Sequence, residues 1–141
     1  MASFPASQRV LLVADDARLR HDLHRALVGA GMSVTGCDRF AALELIGALP
    51  VDVIVLDPDR WSRDGTDKRG DRLDGGYSSD SLLRAACASD CGRIVVLTES
   101  RSRGEIEQLG KAGREIVIVH PDAAIRAVVQ AAADILVRPA P

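Results

Sequence analysis

The sequence predicts an α/β protein built on a doubly wound, five-stranded parallel sheet. Short apolar runs rich in β-branched residues recur along the 141 residues, as expected for strands buried on both faces of a sheet. Helical patterns fill the gaps between these runs, and the resulting βαβαβαβαβα order favours right-handed crossovers in one parallel sheet. The four clearest runs end in polar residues and span 10–14, 53–56, 93–97 and 116–119.

Two strand–helix units are predicted before residue 51. The run at 10–14 precedes a helix over 17–30, whose apolar stripe should end at Gly31, a residue typical of the position after a helix. Residues 34–37 predict the second strand, and 40–49 predict a helix stopped by Pro50.

Three further units follow. The strand at 53–56 precedes a helix over 81–88, and the strand at 93–97 precedes a weaker helix over 102–112. After the strand at 116–119, Asp122 is the predicted N-cap of the last helix. The buried face of that helix should comprise Ile125, Val128, Val129, Ala132 and Leu136.

These elements predict one domain over residues 9–138, with an N-terminal extension (1–8) and a C-terminal tail (139–141). The stretch 60–79 is polar and glycine-rich, which is typical of a functional or disordered loop. Its aromatic residues Trp61 and Tyr77 are candidates for contact with a partner.

Composition excludes several classes of protein. A net charge of −2 gives no basic footprint for nucleic acid, and no apolar run reaches the ~18 residues of a membrane span. The N-terminus lacks a signal-peptide pattern, and three cysteines fit a reducing compartment, so we expect a cytoplasmic protein. Cys87 and Cys91 could share a helix face, but the spacing of a zinc site is missing.

Polar residues at the strand ends should converge on one edge of the sheet, where open α/β sheets bind ligands. Crowded carboxylates favour a hard divalent cation such as Mg²⁺, and a carboxylate beside it can attack phosphorus. A hydroxyl there can donate to a phosphoryl oxygen. These polar residues are Asp15, Asp16, Asp57, Thr98 and His120, and Pro121 directly follows His120.

This pattern resembles the receiver domain of two-component response regulators over roughly Arg9 to Val137. The resemblance implies a flavodoxin-like fold with Asp57 as phosphoacceptor and with Asp15, Asp16 and Asp57 binding Mg²⁺. It further implies that Thr98 is the switch hydroxyl and that the proline of the fifth strand is Pro121.

The chain departs from that family at several positions. His120 stands where receivers carry a lysine, so a phosphate contact there would depend on protonation of the imidazole. Glu99 replaces a usually small residue, Val117 an aromatic switch residue, and Pro58 directly follows the acceptor position.

Simpler structural roles compete with each assignment. Asp15 and Asp16 could cap the first helix, and Asp57 could end a strand in an Asp-Pro turn. Thr98 could be a structural hydroxyl, and His120 could be satisfied by neighbouring backbone groups.

The first functional hypothesis is an atypical single-domain response regulator, not an enzyme. It would take a phosphoryl group from a histidine kinase or phosphotransfer protein and act on an effector protein, and the last helix (Ala123 to Val137) is a candidate dimer surface. The alternative is an unphosphorylated receiver that serves as a protein-binding module. A third hypothesis is a haloacid-dehalogenase-type phosphatase with Asp57 as nucleophile and Asp59 as general acid.

Overall fold

The computed structural model describes residues 8–58, 79–99, 103–108 and 115–137, which form a five-stranded parallel sheet with helices on both faces. The strands are β1 (Arg9–Val13), β2 (Ser33–Cys37), β3 (Val53–Leu56), β4 (Arg93–Leu97) and β5 (Glu115–Val119). The helices are α1 (Ala17–Gly29), α2 (Arg39–Ala48), α3 (Ser79–Ala88), α4 (Arg103–Glu107) and α5 (Ile125–Leu136). The strand order β2-β1-β3-β4-β5 confirms the predicted fold class.

The three central strands are buried on both faces, which explains their continuous apolar sequences. Alternate side chains of each strand enter two separate cores. Leu11, Ile54 and Ile94 contribute to the core shared with α2 and α3. The other core lies beneath α1 and α5, where their inward residues meet the opposite faces of the same strands.

Helix α1 ends as the sequence predicts. Gly31 adopts a φ of 94°, which a residue with a side chain rarely adopts. Its amide donates to the carbonyl of Val28 (2.9 Å), and the amide of Met32 donates to that of Leu27 (3.1 Å). This pair of bonds is the Schellman motif, and it turns the chain directly into β2.

Helix α5 begins later than predicted. Asp122 is not its N-cap: the cap position is Ala124, which makes no side-chain capping bond. The amide of Ala123 donates to the carbonyl of His120 (2.9 Å), so the chain first completes a turn after β5. The predicted cap was wrong because this turn delays the helix by two residues.

Two other predictions extend beyond the residues that the structure describes. Helix α4 covers 103–107, within the predicted 102–112. Of the loop at 60–79, everything before residue 79 lies outside the described residues, including Trp61 and Tyr77. Within the described ranges, no helix combines the length and apolar character needed to cross a membrane.

Candidate functional site

The carboxyl ends of β1, β3, β4 and β5 place polar residues along one edge of the sheet. The Asp57 amide donates to the carbonyl of Val13 (2.9 Å), which holds Asp57 against the end of β1. The Thr98 amide donates to the carbonyl of Val119 (3.0 Å), which holds Thr98 against the end of β5. Asp57 is 3% exposed and Thr98 is 2% exposed. Two polar side chains are therefore buried at adjacent strand ends.

Asp15, the third buried polar residue of this edge, forms an ion pair with Arg39. The Arg39 amide donates to Asp15 Oδ1 (3.0 Å), and the guanidinium Nε donates to Asp15 Oδ2. The side chains are 4% and 1% exposed, so the pair is removed from water. The guanidinium also contacts the segment after β3, where its Nη2 donates to the carbonyl of Pro58 (2.8 Å). Arg39 thus connects the ends of β1 and β3.

Arg39 is not among the residues that the sequence predicted for this site. Arginine at the start of a helix ordinarily faces solvent, and nothing in the apolar periodicity of α2 singles it out. The available signal was its place directly after β2, at the same sheet edge as the predicted acids. A charged residue there can point back across β1 toward them.

Asp16 acts as a helix cap in this structure. Its Oδ1 accepts hydrogen bonds from the amides of Arg18 (3.0 Å) and Leu19 (3.2 Å) at the start of α1. Asp38 caps α2 in the same way, accepting from the Ala41 amide (3.0 Å). The observed contacts of Asp16 are therefore those of a helix cap, and its role as a metal ligand stays a prediction.

The two departures at the ends of β4 and β5 contact each other. His120 Nε2 lies 3.0 Å from Glu99 Oε2, and His120 Nδ1 accepts from the Asp122 amide (3.1 Å). Since Nδ1 accepts, the neutral ring carries its proton on Nε2 and donates it to Glu99. The side chains of His120 and Glu99 are 53% and 66% exposed, so this pair lies at the rim of the site.

The observed contacts do not fit the predicted three-carboxylate site for Mg²⁺. Both oxygens of Asp15 bond to Arg39, and one oxygen of Asp16 caps α1. Among the residues that the structure describes, no group of three or more metal-ligating side chains is arranged to hold an ion. The positive charge beside these acids comes instead from Arg39.

Cys37, at the end of β2, is kept as a thiol by its surroundings. Burial, and after it the negative charge of Asp38, raise the pKa of this thiol from 9.0 to about 11. The folded chain therefore holds this proton more tightly than the unfolded chain, so the stabilisation is complete below pH 9 and lost between pH 9 and 11.

We accordingly expect the free energy of unfolding to fall by about 2 kcal/mol over that range because of Cys37. Urea unfolding of the native chain and of Cys37→Ala at both ends of the range measures this contribution. Ser33→Ala, at the exposed start of the same strand, removes a hydroxyl that does not ionise in this range; it is the control and should retain the native pH dependence. An identical pH dependence in Cys37→Ala would contradict the assignment.

Comparison with known proteins supports the fold. A response regulator receiver protein from Sinorhizobium medicae has a TM-score of 0.66 and 20% identity, covering 93% of this chain and 95% of that one. A Francisella response regulator receiver domain has a TM-score of 0.67 and 18% identity, covering 92% and 97%. This chain has the receiver fold. No protein-family model matches its sequence, and no curated protein matches it either.

One further structure shares this fold. A Burkholderia pseudomallei response regulator with a phosphorylated aspartic acid and a calcium ion has a TM-score of 0.62 and 24% identity. The match covers 89% of this chain and 66% of that protein.

Proposed function

We propose that this chain is a receiver-type signalling module in which Asp57 accepts a phosphoryl group and which acts through contacts with a partner protein. The observation that supports this most is the burial of Asp57 and Thr98 at the ends of β3 and β4, which are adjacent in a receiver fold. A carboxylate and a hydroxyl so placed are the nucleophile and the hydrogen-bond donor that phosphoryl transfer to aspartate requires.

In the proposed reaction, an Asp57 oxygen attacks the phosphorus of a phosphorylated donor. A new P–O bond forms an acyl phosphate, and the bond from phosphorus to the donor breaks, leaving the electron pair on the donor. The Thr98 hydroxyl donates to a phosphoryl oxygen, and the guanidinium of Arg39 supplies positive charge next to residue 58. The Asp15 carboxylate, a predicted ligand of Mg²⁺, accepts a hydrogen bond from Arg39 in this structure. Magnesium binding stays a prediction.

The donor under this proposal is a histidine kinase or a phosphotransfer protein, and the output is binding to an effector protein. Dimerisation through α5 is part of the same proposal. The inward residues of α5 are buried against the sheet; they are Val128, Ala132 and Ile135. Val129 and Ala133 are only half-buried, and a second copy of the chain would contact the helix on their side.

A second candidate is a receiver that is never phosphorylated and serves as a binding module. The buried Asp15–Arg39 pair favours it, because this pair stabilises one arrangement of the acidic edge without any ligand. The contact between Glu99 and His120 also favours it, since it engages the residue at the lysine position. The phosphatase hypothesis gains no support, and its proposed acid, Asp59, lies outside the described residues.

Intact-mass spectrometry after incubation with acetyl phosphate, with and without MgCl₂, separates the two candidates. We expect one phosphoryl adduct on the native chain and none on Asp57→Asn. Asp52→Asn is the matched control, because Asp52 lies at the opposite end of β3, where it pairs with Arg9. No adduct on the native chain, even at a pH that protonates imidazole, would overturn the proposal in favour of the binding module.

A further inference from the structure

We infer that the Arg39 guanidinium is the resident cation at Asp15, so that the charge of this acid is balanced without a divalent metal ion. The inference concerns the ground state of the site and is independent of whether Asp57 is phosphorylated. It is carried by the contacts of Arg39, its burial and the chemistry of its charge.

Arg39 is fixed at both of its ends. Its backbone amide bonds to Asp15 Oδ1 (3.0 Å), which anchors the first residue of α2 to the acid. Its guanidinium bonds to Asp15 Oδ2 and, through Nη2, to the carbonyl of Pro58 (2.8 Å). The positive charge therefore lies between β1 and the residue that follows Asp57.

A cation is required at this position because Asp15, Asp16 and Asp57 follow two adjacent strands. A buried carboxylate without a positive partner is strongly destabilising, whereas arginine keeps its charge at every accessible pH. Both oxygens of Asp15 accept hydrogen bonds from Arg39, so one residue supplies this acid with its positive charge and with its hydrogen-bond donors.

A divalent cation would have to compete with this arrangement. To gain an oxygen of Asp15, the ion would displace a guanidinium that is 1% exposed and would leave it buried without its carboxylate. A nearby Mg²⁺ would also be repelled by the guanidinium. Metal affinity should therefore be low in the native chain and should rise when the charge of residue 39 is removed.

Thermal unfolding in millimolar MgCl₂, compared with NaCl of matched ionic strength, tests this with two variants. Arg39→Lys keeps the charge, and Arg39→Gln keeps a hydrogen-bond donor without the charge. We expect no Mg²⁺-specific change in Tm for the native chain or Arg39→Lys, and a rise of about 5 °C for Arg39→Gln. Isothermal titration with MgCl₂ should show at least about tenfold tighter binding to Arg39→Gln than to the native chain.

A Mg²⁺-specific rise in Tm of equal size in the native chain would overturn the inference, as would an unchanged Tm in Arg39→Gln. If Arg39→Gln is unfolded without metal, circular dichroism replaces the melting curve: recovery of the native spectrum in MgCl₂ supports the inference, and no recovery overturns it. None of these readouts involves a phosphoryl group, so a failure here is distinct from a failure of Asp57 to accept phosphate.

Discussion

Arg39→Ala is expected to lower the free energy of unfolding by about 3–5 kcal/mol, measured by urea denaturation at neutral pH. The loss arises because Asp15, a carboxylate that is 4% exposed, would be left buried without its partner. The truncation would also remove the bond from Nη2 to the Pro58 carbonyl and leave a cavity beside β3.

Two controls separate burial of the charge from the mere presence of an ion pair. Arg9→Ala removes the pair between Arg9 and Asp52 (3.5 Å), whose side chains are 52% and 29% exposed, and should cost no more than about 1 kcal/mol. The double variant Asp15→Asn/Arg39→Met removes both buried charges and should recover much of the stability lost in Arg39→Ala. A loss as small for Arg39→Ala as for Arg9→Ala would mean that Asp15 reaches solvent.

The fold was predictable because its signals are local in sequence. The four residues of β3 are apolar and fully buried, and their run predicted a buried strand with the observed limits. Gly31 marked the end of α1 because its backbone conformation excludes most other residues. Asp122 misled because its position after a strand suits a cap, whereas a turn formed with His120 delays the helix.

The candidate site was predictable only in part. Asp57 and Thr98 follow apolar strands, so the topology alone brings them to one edge of the sheet. Arg39 was missed because its partner, Asp15, is 24 residues away along the chain. No local sequence pattern predicts that an arginine at the start of α2 is buried. The contact between Glu99 and His120 likewise joins two residues that were considered separately.

The rim of the site leads to the second large effect that we expect, on the rate of phosphorylation. In the double variant Glu99→Ala/His120→Lys, the negative charge of an exposed residue is removed and a permanent positive charge is placed at the end of β5. A fixed cation stabilises the charge that develops on a transferring phosphoryl group, so the rate of Asp57 phosphorylation should rise about tenfold or more.

Time-resolved intact-mass spectrometry with acetyl phosphate measures that rate. The matched control is Glu99→Ala/His120→Gln, which removes the same acid but adds no charge, and it should give a much smaller increase. If both double variants raise the rate above that of the native chain by the same factor, access past Glu99 limits the reaction and charge at residue 120 does not. A rate that neither variant changes would show that neither access past Glu99 nor charge at residue 120 limits the reaction, and would contradict this expectation.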